Sequence, residues 1–315
     1  MAAKLFLKSL PFAAPCLSAA LLLGLADVAD AGPLLDTLRE RQAARAESSA
    51  SATLPSGVKQ LKNLPYGSDP AQRFDVYLPP NARNAPVIFM VHGGAWAIGD
   101  KAMGRVVDAK VARWVSRGFI FVSTNYRMLP AAAPDVQLRD VALAVATAQH
   151  KAAEWGGDPQ RFILIGHSAG AHLVALLAAT PHPAYAPAMK PVLGTVALDS
   201  AAMNVVQIMG QRHYHLYDKP FGSDPSYWHS MSPTLNLAAG APPLLAVCSS
   251  RRDDSCLQTV QFVERAGQLG VRAETLRADL AHGAINSQLG LAGPYTTAVE
   301  AFLASLDPEV ARLLR

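Results

Sequence analysis

Cysteine is scarce in this 315-residue chain, which has only Cys16, Cys248 and Cys256. No cluster of His, Cys and Asp has the spacing of a zinc site, so no metal or organic cofactor is expected. Basic residues never gather into a run. The 28 Lys and Arg against 24 Asp and Glu leave a net charge of +4. That reads as a mildly basic solvated surface rather than a phosphate-tracking stripe, which removes the case for nucleic acid as a partner. There is no internal repeat, and past the first thirty residues there is no run suited to crossing a membrane. What is abundant is apolar side chain, 50% of the residues, enough for one large core in a single α/β domain.

The first thirty residues have a character of their own. Lys4 and Lys8 precede an apolar run from Phe12 to Ala26, and Ala29-Asp30-Ala31 supplies small residues around a cut after Ala31. Residues 1–31 therefore read as a secretory signal, which predicts an exported protein, periplasmic or secreted. The apolar run is short for a ~20-residue span and carries Pro15, so no stable membrane insertion is expected once the signal is removed. Pro15 before Cys16 also argues against a lipoprotein cut. Cleavage removes Cys16 and leaves Cys248 and Cys256 as disulfide candidates in an oxidising compartment. Residues 32–56 are rich in Ala, Ser, Arg and Glu and read as a flexible segment, with the folded domain at 57–315.

Within that domain, short apolar runs alternate with helical patterns. Strands are predicted at Arg73 to Leu78, Pro86 to Val91, Gly118 to Ser123, Arg161 to Ile165, Leu193 to Leu198, Pro243 to Val247 and Val271 to Leu276. Helices are predicted at Asp135 to Glu154, Ala169 to Ala179, Leu257 to Leu269 and Tyr295 to Leu306. This alternation implies an α/β fold with a mostly parallel sheet covered by helices on both faces. About 200–240 breaks the rhythm, is too long for a simple crossover, and carries Tyr214, Tyr217, Phe221, Tyr227 and Trp228. It reads as a helix plus a small lid over the sheet's carboxyl edge.

Gly166-His167-Ser168-Ala169-Gly170 follows one predicted strand and opens a predicted helix. A serine on such a turn is held in a strained backbone with its hydroxyl exposed at the helix N-terminus, the setting of a nucleophile. His92-Gly93-Gly94-Ala95-Trp96 follows another strand. Acyl transfer needs N–H groups aimed at a developing oxyanion, which makes Gly93, Gly94 and Ala169 the candidate donors. His92 reads as shaping that loop. A general base belongs after the last long strand, where His282 is the one histidine C-terminal to His229. The acid that orients it is sought after the strand Pro243 to Val247, in a loop holding both Asp253 and Asp254. Asp253 is preferred, Asp254 is the alternative, and Asp199 is the outside choice. Cys248 and Cys256 bracket that loop and are expected to bridge it.

These motifs, with Asp75 to Pro79, Asn125-Tyr126-Arg127, Gly157-Asp158-Pro159 and His282-Gly283 followed by Ile285-Asn286, resemble the α/β-hydrolase-fold esterases. The likeness is to the group of hormone-sensitive-lipase-like, bacterial feruloyl-esterase-like and kynurenine-formamidase-like enzymes, over about residues 60–310. It implies a serine hydrolase cleaving small-molecule carboxylic esters through an acyl-enzyme on Ser168, with His282 as base and Asp253 as acid. An amidase or formamidase with the same triad is the alternative within the fold. A catalytically silent ligand-binding module is the alternative outside enzymology. The chain departs from the group in carrying Ala95-Trp96 in place of a third glycine, and in an acid loop with two arginines. Neither reading defines an oligomeric state.

Overall fold

The computed structural model describes residues 54–179 and 188–315. The signal at 1–31, Cys16, and all but the last three residues of the 32–56 segment lie outside the described residues. The strands are β1 (Lys59–Pro65), β2 (Arg73–Leu78), β3 (Ala85–Val91), β4 (Ile120–Thr124), β5 (Gly157–His167), β6 (Gly194–Leu198), β7 (Leu244–Ser249) and β8 (Ala273–Ala278). They form one sheet in the order β1-β2-β4-β3-β5-β6-β7-β8. The β1–β2 and β2–β4 pairs are antiparallel and the remaining pairs are parallel.

Successive side chains of a strand point to opposite faces, so a strand that is apolar at every position needs cover on both. β3, β4, β6 and β7 are buried along their whole length. Helices α1 (Gly104–Trp114), α2 (Pro134–Lys151) and α3 (Ala169–Leu177) begin that cover. The short helices α4 (Val205–Met209), α5 (Asp218–Phe221), α6 (Pro225–Ser230) and α7 (Pro233–Asn236) follow between β6 and β7. Then come α8 (Asp253–Gln268), α9 (His282–Ser287), α10 (Pro294–Ala304) and α11 (Pro308–Leu314). Val87, Phe89 and Val91 of β3 pack with Leu138 and Val141 of α2 and with Leu173 and Val174 of α3. The intervening Ile88 and Met90 pack on the other face with Val107, Val111 and Trp114 of α1 and Phe302 of α10. α8 extends the first layer, its Phe262 and Ala266 lying with Ala197 and Ala246 of the sheet. Among the described residues no helix is long and apolar enough to cross a membrane.

The chain order reverses beside β3: its successor β4 lies on one side and β5 on the other. Ligand sites in parallel sheets lie beyond the carboxyl ends of the strands at such a switch point. There α3 starts hard against the end of β3. A Cβ on Gly170 would lie 2.3 Å from Val91 O and 2.5 Å from His92 O. Gly170→Ala is therefore expected to cost about 3 kcal/mol of stability through overpacking. This is read as a lower urea midpoint at unchanged slope; a wild-type midpoint would mean that helix and strand separate freely.

Candidate active site

His167 ends β5 and Ala169 begins α3, which leaves Ser168 alone on the turn with φ 55° and ψ −118°. A non-glycine residue held there costs on the order of 1–3 kcal/mol and persists only where neighbours enforce it. Here Ser168 N–H donates to Leu198 O at 2.9 Å, and Ser168 O accepts from His172 N–H at 3.1 Å. The serine lines a cavity of about 580 Å³ at the carboxyl edge of the sheet, together with Asp199, Arg252 and His282. The segment between β6 and β7 contributes Tyr214, Leu216 and Tyr217 to the same wall.

Beyond β3 the chain bends through three consecutive left-handed residues: Gly94 (φ 124°), Ala95 (φ 50°) and Trp96 (φ 59°). Ala97 and Ile98 N–H both donate to Gly94 O at 3.0 Å. Trp96 O accepts from Leu129 N–H at 2.9 Å and from Gln137 Nε2 at 2.8 Å. Gly94 and Ala169 line the cavity. Gly93 is pressed against the serine instead, and a Cβ on it would lie 2.9 Å from Ser168 Cβ. His92 shapes this turn: its ring stacks on Tyr126 with centroids 4.6 Å apart, and its Nδ1 lies 2.8 Å from Gly93 O. The Trp96 indole donates to His172 Nδ1 at 3.2 Å, leaving His172 Nε2–H to donate to Met231 O at 2.8 Å. Burial pushes His172 down to about 4, so it remains the neutral ring this pattern requires.

His282 opens α9. Its Nδ1 lies 2.6 Å from Asp199 Oδ2. His167 Nε2 lies 3.0 Å from His282 O, and the two rings sit 4.6 Å apart. Burial holds His167 well below the usual imidazole range, and charge on His282 pushes it the same way. A neutral His167 thus donates to the backbone of His282.

The carboxylate against His282 is Asp199, at the end of β6; in this the structure corrects the preference for Asp253. Asp253 is the first residue of α8, lying exposed at the cavity wall. Asp254 accepts from Arg252 Nη2 at 3.2 Å and from Ser255 N–H at 2.8 Å. Asp199 is fully buried. Its Oδ1 accepts from Ser249 N–H at 2.8 Å and from Ser255 Oγ at 2.5 Å, while Oδ2 receives Arg252 Nη1 at 2.9 Å as well as His282. Burial pushes this carboxyl up. The hydrogen bond and charge of His282, the Arg252 guanidinium and Ser255 more than offset that, and hold it well below the usual carboxylate range.

Residues 74–261 match the BD-FAE family. The chain belongs to that family. Esterase LipQ of Mycobacterium tuberculosis is 28% identical over 264 residues, 74% of this chain and 62% of LipQ. A probable isoprenylcysteine alpha-carbonyl methylesterase of Arabidopsis thaliana, ICMEL1, is 36% identical over 115 residues, 36% of this chain and 24% of that protein. The chain thus spans less than two thirds of the length of either relative. Among solved structures, esterase B from Lactobacillus Rhamnosis superposes with a TM-score of 0.70 at 19% identity, covering 90% of this chain and 95% of that one. Thermogutta terrifontis esterase 2, phosphonylated by sarin, gives 0.63 at 20% identity, with 81% and 96% covered. The fold is that of the α/β-hydrolases.

Sequence reasoning missed Arg252, which the BD-FAE chain places against both Asp199 and His282. The signal for it was the arginine pair in a loop searched only for carboxylates. The expected disulfide is present: Cys248 and Cys256 are bonded, with Cα atoms 5.1 Å apart. The bridge closes a loop containing Ser249, Arg252 and Ser255, three of the four residues that donate to Asp199. Replacing both cysteines by serine should lower stability by about 2–3 kcal/mol on the chain-entropy view. Thermal unfolding of the double variant checks this, and a melting temperature equal to wild type would mean that the hydrogen bonds alone hold the loop.

Proposed function

We propose that this chain is a serine-dependent carboxylic ester hydrolase with Ser168 as nucleophile, His282 as general base and Asp199 as the orienting acid. The observation that carries the reading is the pairing of His282 Nδ1 with the buried Asp199 at 2.6 Å in the same cavity wall as Ser168. With its Nδ1 proton directed at a carboxylate, the imidazole keeps a lone pair on Nε2, the atom a general base needs. Nε2 takes the Ser168 proton as Oγ attacks the ester carbonyl, and N–H groups of Gly93, Gly94 and Ala169 receive the oxyanion. The alcohol leaves with that proton. Water, deprotonated by the same histidine, then releases the acid from Ser168.

The esterases among its relatives support this class of substrate. A cavity of about 580 Å³ falls in the range of about 300–1,000 Å³ that takes small molecules. In this reading residues 57–315 are a single catalytic domain, and the helices between β6 and β7 are the lid within it, over the sheet's carboxyl edge. The disulfide supports export to an oxidising compartment, with 1–31 as the signal and 32–56 as a linker.

Ser168→Ala should lower kcat on an activated ester by about 10³-fold or more without loss of helical circular dichroism, and His282→Ala should be nearly as severe. Asp199→Asn belongs with them, whereas Asp253→Asn should stay within about tenfold of wild type. Activity of the serine variant within tenfold of wild type would refute the mechanism. A severe Asp253→Asn beside a mild Asp199→Asn would return the acid to the first turn of α8.

A further inference from the structure

Arg252 Nη1, Asp199 Oδ2 and His282 Nδ1 form a triangle with edges of 2.9, 2.6 and 2.8 Å. Only one of the three atoms is an acceptor for the other two. A guanidinium never gives up its proton in a protein. An unprotonated Nδ1 would set its lone pair against an anionic oxygen, so Nδ1 carries the hydrogen that Asp199 receives. Arg252 and His282 are then two donors competing for one oxygen, and their 2.8 Å edge is a contact between donors.

This triangle has a consequence for the proton cycle. When His282 takes the serine proton it becomes a cation beside a guanidinium. Opposite charges near an imidazole favour its charged form and like charges disfavour it. Resting on the ester-hydrolase reading, we infer that Arg252 is a positioning residue that keeps His282 available as a base at lower pH. It does so by sharing Asp199 and by repelling the imidazolium.

The other groups facing His282 leave this effect in place. Asp199, at the end of β6, is the partner being shared. His167, at the end of β5, is neutral and donates to the His282 backbone. Lys110 of α1, which donates to Asn286 O on α9, is pushed by burial down to about 7 and is the same in every variant compared. Asp254, on α8, accepts from Arg252 Nη2 at 3.2 Å and offsets part of its charge from the far side. Asp253 and Arg251 line the same cavity; Arg251 is turned outward onto Asp279 at 2.8 Å. Arg252 is therefore the cation in direct contact with the imidazole, and its neighbours set the sign of two different variants. Losing the guanidinium stabilises the imidazolium, so more activity is lost in acid. Losing Asp254 strips the guanidinium of a counter-charge, so the imidazolium is less stable and activity extends further into acid.

The test is kcat/KM for 4-nitrophenyl butyrate from about pH 5 to pH 9, read at the isosbestic wavelength of nitrophenol, where the acid limb reports the free enzyme's base. The rate at which a fluorophosphonate labels Ser168 is measured alongside. Arg252→Gln should move the acid limb up by about one pH unit, Arg252→Lys should hold it within about a third of a unit, and Asp254→Asn should move it down. A purely structural role would lower the rate by one factor at every pH and leave the limbs in place. An unmoved limb in Arg252→Gln, or equal displacement in Gln and Lys variants, overturns the inference. If Arg252→Gln does not fold, Asp254→Asn carries the test alone, and an upward or absent shift overturns it. Ser168→Ala at wild-type rate would instead overturn the ester-hydrolase reading, while an inactive Ser168→Ala beside unmoved limbs removes only the role of Arg252.

Discussion

A single buried carboxylate organises this site. Asp199 has no exposed surface, and taking an ionised carboxyl out of water is costly unless its oxygens are matched with donors. Four donors meet it, from the end of β7, the first turn of α8, the residue before that helix, and His282. Removing any of them leaves part of a buried charge uncompensated, so the geometry of the 249–255 loop is fixed by the needs of one side chain. The disulfide then acts on a loop that already has a reason for its shape. It ties Cys248, next to Ser249, to Cys256, next to Ser255, and so restrains the two residues that hold Oδ1.

Backbone strain in the site falls where the chemistry would need it. Ser168, Ala95, Trp96 and Asp199 all hold positive φ without being glycine. Such conformations survive only where the surroundings over-determine them. At Ser168 the enforcing contacts are the Leu198 carbonyl on one side and the first turn of α3 on the other. At Trp96 they are the hydrogen bonds to its carbonyl and an indole locked among His172, Tyr217 and Phe221. The sheet provides the rigid base: both turns leave neighbouring parallel strands paired along Val87 to Val91.

The parts of the fold set by side-chain period are legible in the sequence itself. Unbroken apolar runs such as Phe162 to Ile165 read as buried strands because both faces of the sheet are covered. Strand ends were less legible, since β5 begins at Gly157 among polar residues that a hydrophobic pattern passes over. Helix α1 escaped because its buried stripe includes Lys110, whose ammonium is satisfied by Asn286 O at 2.7 Å, and a lysine counts as polar in any periodic reading. β1 escaped because it is an edge strand with Lys59, Lys62 and Asn63 exposed and no residue fully buried. The turn that holds Ser168 and the place of His282 after the last strand were readable from local context alone. The carboxylate partner of His282 was not, because which one reaches the imidazole depends on how β6 and β7 lie side by side. Asp199 N–H pairs with Val247 O at 2.8 Å, which carries the end of β6 under the following loop, where Arg252 turns toward it.

The turn from Gly94 to Trp96 and the segment between β6 and β7 are joined by one chain of hydrogen bonds. Trp96 donates to His172, His172 donates to Met231, and Ser232, next in the chain, accepts from Val205 N–H at 2.9 Å while donating to Trp228 O at 2.7 Å. Each link is buried or partly buried, so each broken link would strand a polar group away from water, at a cost of about 1–3 kcal/mol. Helices too short to be stable alone are held in register over the cavity by that penalty. His172 lies one turn after Ser168, so the same helix that follows Ser168 also anchors Trp96. The helices between β6 and β7 are thus tied by hydrogen bonds to the turn that carries Gly94. Tyr214 lies outside the Trp96–His172–Met231 chain of hydrogen bonds and lines the cavity at 38% exposure.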